Sequence, residues 1–84
     1  MSARFIEAVD LALAGNWAAA HAIVQDHGGD SHADWIHAVV HRLEGDLGNA
    51  RYWYQSCGRT FREETLPPEE LREIRASLVA GARA

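Results

Sequence analysis

The chain has no lysine, one cysteine, two prolines and no long apolar run. Each shortage excludes something. All eight cationic side chains are arginines, set against twelve acidic residues for a formal net charge of −4. They are scattered along the chain, so no basic cluster exists to hold a phosphate backbone, and nucleic acid is not an expected partner. The same lack argues against an anionic membrane surface. Nothing approaches the roughly 20 apolar residues that span a bilayer, so no membrane segment is expected. Arg4, Glu7 and Asp10 near the start do not fit a signal peptide. Cys57 alone cannot close an intrachain disulfide, which makes a reducing cytoplasm the simplest expected location.

What is present suits one small folded domain. Apolar residues make up 48% of the 84 positions and the charges are mixed, which favours folding over disorder. A chain this short buries only about 60–65% of its unfolded surface, so one modest core is expected across residues 1–84.

The strongest pattern is an internal repeat. A shift of 30 positions aligns Ala3 with Ala33, Ile6 with Ile36, Ala8 with Ala38, Val9 with Val39 and Leu13 with Leu43. It also aligns Gly15 with Gly45, Ala20 with Ala50, Gln25 with Gln55 and Gly28 with Gly58. Each unit reads as helix, tight turn, helix. Phe5, Ile6, Val9, Ala12 and Leu13 share one helical face, and Gly15 supplies a left-handed stop. Asn16 is a natural N-cap, after which Trp17, Ala20, Ile23, Val24 and His27 continue the apolar pattern, with Trp17 expected in the core. Gly28-Gly29-Asp30-Ser31 is a break. Ser31 is the expected cap of a third helix running to about Glu44, and Gly45-Asp46 repeats the turn before a fourth helix from about Leu47 to Cys57.

The remainder differs from both units. Residues 58–66 form a charged connector whose Arg59, Arg62, Glu63 and Glu64 are expected to be solvated. Pro67 and Pro68 open a fifth helix with an apolar stripe of Leu71, Ile74 and Leu78. Glu69, Glu70 and Glu73 near its start and Arg75 and Arg83 later complement the helix dipole. The predicted fold is therefore all-α, with antiparallel helix-turn-helix repeats at 2–28 and 31–58 and a capping helix at 67–82 that covers an open end of the stack.

Ala8, Gly15-Asn16 and Ala20, and again Ala38, Gly45-Asp46, Ala50 and Tyr54, resemble the small-residue, turn and aromatic positions of tetratricopeptide repeats. That resemblance implies a helical-hairpin scaffold that binds proteins. The chain departs from the family in its shorter period, 30 rather than about 34 residues, and in having no proline to close either unit. The run from Trp35 to Asp46, followed by Asn49-Ala50-Arg51-Tyr52-Trp53-Tyr54, is similar to a group of small uncharacterised bacterial proteins. Those share an HA..HR.EGD..NA.YWY signature, and the likeness implies a preserved type of site without naming its chemistry.

Two constellations carry candidate chemistry. At 100° per residue, Asp34, His37, His41 and Glu44 fall within roughly 80° of one another on the third helix. His37 and His41 stand one turn apart, so both rings can reach one ion, zinc or another divalent metal. Glu44 follows as a third ligand or an orienting carboxylate, and His21 on the second helix completes the candidate ligand set. Three readings stand together: a solvated polar face, a structural hydrogen-bond network between helices, or a metal or small-molecule site. The spacing His-Ala-Val-Val-His lacks the glutamate of the metalloprotease motif. Cys57 sits among small and apolar residues and reads as a buried hydrophobe rather than a nucleophile. No catalytic residues are assigned. The second constellation is on the fourth helix, where Arg51, Tyr52 and Gln55 offer an exposed aromatic patch for a protein partner or for self-association. A protein-interaction module and a metal- or ligand-binding protein, possibly an enzyme, are the two functional expectations.

Overall fold

The structure is a computed structural model describing residues 2–83, with side chains described from 3 to 81. Five α-helices follow in order: α1 (Ser2–Leu13), α2 (Trp17–Val24), α3 (Ser31–Leu43), α4 (Leu47–Ser56) and α5 (Pro67–Arg83). A 3₁₀ turn, Gln25–His27, extends α2. There is no strand among the described residues, and none of their helices is long and apolar enough to cross a membrane.

The two hairpin corners are built alike. Gly15 and Gly45 adopt φ of 88° and 81°, conformations that cost a residue with a Cβ about 1–2 kcal/mol. Around each, paired backbone bonds close the helix end. Gly15 N–H reaches Ala12 O and Asn16 N–H reaches Leu11 O; Gly45 N–H reaches Arg42 O and Asp46 N–H reaches His41 O. The next residue immediately opens the following helix: Asn16 accepts from Ala19 N–H and Asp46 from Asn49 N–H. The third helix is capped by Asp30, whose carboxylate accepts from His32 and Ala33 N–H, and not by Ser31, which is already helical. Asp30 wins because it stands one residue earlier, in extended backbone.

The core follows the small-residue pattern. Ala8 and Ala38, and Ala20 and Ala50, are fully buried and let the paired helices approach closely, while Phe5, Val9, Val24, Ile36, Val39 and Tyr54 fill the space between. Trp17 is not in this core. It is 36% exposed, as is its counterpart Leu47 at 44%, because each is the first residue after its cap and lies at the rim of the corner. Cys57 is only half-buried, packed on the core's edge, and burial pushes its thiol above the ordinary range.

The centre of the molecule is α3, which packs against α1, α2, α4 and α5; its residues Ala33 to Val40 are all buried. The fifth helix packs along α1 and α3, and it meets α4 through the Tyr54–Glu70 hydrogen bond. It therefore covers an apolar face as expected, but that face is the one shared by the leading helices of both hairpins, not an end of the stack. The basic end expected at Arg83 lies outside the described side chains.

Glu70 holds this arrangement. It is 1% exposed, not solvated, and it accepts from Trp35 Nε1 (2.8 Å), Tyr54 OH (2.5 Å) and Arg42 NH1 (2.8 Å). Arg42 also donates to Thr65 O. One carboxylate thus joins α3, α4, α5 and the connector. Burial and the Glu70 contact raise the Tyr54 hydroxyl well above its ordinary pKa, keeping it a donor. The connector arginines are engaged as well: Arg62 pairs with Glu73, and Arg59 lies 3.5 Å over the Trp35 ring.

Glu70→Gln keeps the shape but leaves the Arg42 guanidinium without its charge partner. It is expected to destabilise the fold by about 3 kcal/mol, measured by urea denaturation. A change below about 1 kcal/mol would show that the carboxylate is dispensable.

Candidate metal centre

His37 and His41 stand one helical turn apart on α3, and their side chains leave the helix towards α2. The rings are stacked, 4.9 Å apart at 17°. His21, on the second turn of α2, meets both edge-on, at 4.6 Å from His37 and 5.6 Å from His41. One ligand nitrogen from each of the three rings lies within 4.8 Å of the others. The donors therefore come from both helical hairpins, and the α2–α3 packing brings them together. Trp53 of α4 closes the far side of His37, its ring stacked 4.0 Å away at 14°. His37 is held between an indole and an imidazole and is 4% exposed.

Glu44 takes the orienting position. Its Oε1 lies 3.1 Å from His41 Nδ1, in contact but too poorly aligned for a hydrogen bond. A carboxylate behind one ring nitrogen leaves the other directed elsewhere, the arrangement common behind metal-bound imidazoles. The Nδ1 atoms of His37 and His41 are buried with no hydrogen-bond partner. An orphaned buried polar atom costs about 1–3 kcal/mol, so these rings are not members of a satisfied structural network.

Asp34 does not join the cluster. It is 1% exposed and accepts from Gly29 N–H (3.2 Å) and Ser56 Oγ (3.0 Å), tying the loop before α3 to the end of α4. Its angular place on the helix matches the histidines, but it stands three residues before His37 and seven before His41, at the opposite end of the stripe from Glu44. The stripe is not a fully solvated face: Asp34 and His37 are buried and His41 half-buried, while Glu44 at its end is exposed. Of the candidate residues, His21, His37 and His41 converge, and Glu44 meets His41 alone. Arg51, Tyr52 and Gln55 are exposed on α4, with Tyr52 at 62% and the Arg51 guanidinium over Phe61 at 5.3 Å. Trp53 is the member that sequence reasoning missed. Its place on the Ala50 and Tyr54 side of α4 was legible, but its imidazole partner belongs to another helix.

The electrostatics favour neutral imidazole. Burial, then the proximity of His21 and His41, push the His37 pKa down to about 4. It is uncharged at pH 7, the form that binds metal ions. No protein family, curated protein or solved structure matches the chain.

Because His37 binds a proton less readily folded than unfolded, the unfolded chain gains protons first as pH falls. Its contribution to stability is full above about pH 6.5 and disappears towards pH 4. In chelator-treated protein, urea midpoints are expected to drop across that window by an amount on the order of 2 kcal/mol. His37→Phe is expected to flatten the curve there; an unchanged slope in that variant would assign the drop to other groups.

Proposed function

We propose that this chain is a small helical metal-binding protein whose site is formed by His21, His37 and His41, with Glu44 orienting His41. The observation that carries the reading is the convergence of three imidazoles from two helices, with the buried Nδ1 of His37 left without a hydrogen-bond partner. All-nitrogen donors suit zinc, nickel or copper better than magnesium or calcium, which take oxygen ligands. Three protein ligands leave a fourth position open, as in zinc sites that admit water or a small ligand. A bound ion would clip the first hairpin to the second. The two hairpins are read as a shortened tetratricopeptide-like pair, supported by the matching glycine corners and the buried alanine pairs. A bacterial cytoplasm is the proposed setting, on the signature likeness and the single thiol.

Cobalt titration tests the reading, since tetrahedral Co²⁺ has intense visible bands. Chelator-treated protein is expected to take one equivalent saturably and to be displaced by zinc. Glu44→Gln is expected to weaken binding by about 10-fold. His37→Ala and His41→Ala each remove the bands, whereas His27→Gln leaves them. Zinc is expected to raise the melting temperature, by roughly 4–8 °C for each kcal/mol of binding energy. Binding that survives both His37→Ala and His41→Ala would overturn the assignment.

A specific observation favours a second reading, as a protein-interaction module. Among the described helices, α4 packs along α3 and meets α5 through the Tyr54–Glu70 hydrogen bond, so its outer side, with Arg51, Tyr52 and Gln55, is open. The groove version is less well supported, because α5 lies along the α1–α3 face. Self-association through α4 predicts a concentration-dependent mass in sedimentation equilibrium that Tyr52→Ser reduces. A clean monomer at high concentration removes that version.

A further inference from the structure

The charged connector and the first turns of α5 enclose a second site, which shares no residue with the histidine cluster. A cleft of about 510 Å³ is lined by Trp35, Arg59, Thr60, Arg62, Glu70 and Glu73. Its rear wall is rigid. Glu70 receives the Trp35 indole N–H at 2.8 Å and so fixes the ring's orientation. Arg59 sits over that ring, its guanidinium carbon 3.5 Å from the centroid. The indole holds one face of the guanidinium and leaves its edge free to donate. No hydrogen bond or ion pair takes that edge among the described residues.

The charges around the cleft do not balance. The lining holds two of each sign, Arg59 and Arg62 against Glu70 and Glu73, but Arg42 also claims Glu70 from behind it. Glu70 is occupied by Arg42, Trp35 and Tyr54. Glu73 is paired with Arg62, and its pKa is lowered first by that bond and also by the nearby charge of Arg59. Arg59 is the cation left over, in a chain whose net charge is −4. A planar guanidinium with an unused edge matches the two-oxygen geometry of carboxylates and phosphates.

We propose that this cleft binds a small oxyanion, a carboxylate or phosphate group, with Arg59 as its principal donor and the Thr60 hydroxyl beside it. Trp35 acts as a positioning residue by holding the Arg59 plane. The Glu73–Arg62 pair forms the opposite wall and competes for the same cations.

The test is nuclear magnetic resonance on metal-free protein, following the Trp35 indole N–H and the Arg59 Nε–H. Sodium phosphate and sodium succinate are titrated separately, with ionic strength held constant by sodium chloride. At least one is expected to give saturable shifts at both signals in the millimolar range. Saturation by phosphate alone assigns a phosphate-bearing ligand, and by succinate alone a carboxylate. Arg59→Gln is expected to weaken binding at least tenfold at the Trp35 signal, and Glu73→Gln, which frees Arg62, to tighten it. Arg59→Lys keeps the charge without the fork and is expected to weaken binding as well; it serves if Arg59→Gln disturbs the fold. Arg72→Gln, on the same helix outside the cleft, is expected to leave the titration unchanged. Linear shifts with both anions, or equal binding by wild type and both Arg59 variants, would overturn the proposal.

Discussion

The buried Glu70 carboxylate is the constraint on which the arrangement turns. A charge with 1% exposure is tolerable only because an indole, a phenol and a guanidinium all donate to it. Those donors come from α3 and α4, whereas Glu70 itself is on α5. The last helix is thereby held in one register along α1 and α3, where Leu71, Ile74 and Leu78 complete the core. The same carboxylate fixes Trp35, which in turn supports Arg59. Structure and candidate binding chemistry at this end of the molecule therefore share one anchor.

The histidine cluster has the opposite character. Glu70 has its polar demands met by three donors, while His37 and His41 each keep a buried nitrogen without a partner. Apolar residues in their place would pack the α2–α3 contact without that penalty. Trp53 stacks on one face of His37 and His41 on the other, which holds the ring in place and keeps it dry. A fixed, neutral, unpartnered imidazole with two others beside it is poor core design and good ligand design. A cluster in one protein thus departs from the packing rule that the other cluster obeys.

Several features were readable from residue order. Gly15 and Gly45 marked the corners because only glycine reaches that backbone conformation cheaply, and Asn16 and Asp46 marked the next caps. The spacing of His37, His41 and Glu44 placed them on one helical side. Glu70 also left a legible signal that local reasoning passed over. It lies four residues before Ile74 and next to Leu71, on the apolar stripe, but its place in the first helical turn made a dipole role sufficient explanation. Arg59 and Arg62 left no such trace, because a connector has no periodicity from which to infer a facing partner.

Residue order by itself determined the local geometry: which segments are helical, where they stop, and which side of each is apolar. These follow from interactions within a few residues along the chain. The tertiary structure alone decided which polar side chains are enclosed and which face each other. It placed α3 at the centre, so that Asp34 and His37 of a stripe suited to solvent became interior, and laid α5 along α1 and α3 instead of over an end. His21 is sixteen residues from His37, and Trp35 is thirty-five from Glu70. At those separations the helical period carries no information, and only the packing of whole helices sets the distance.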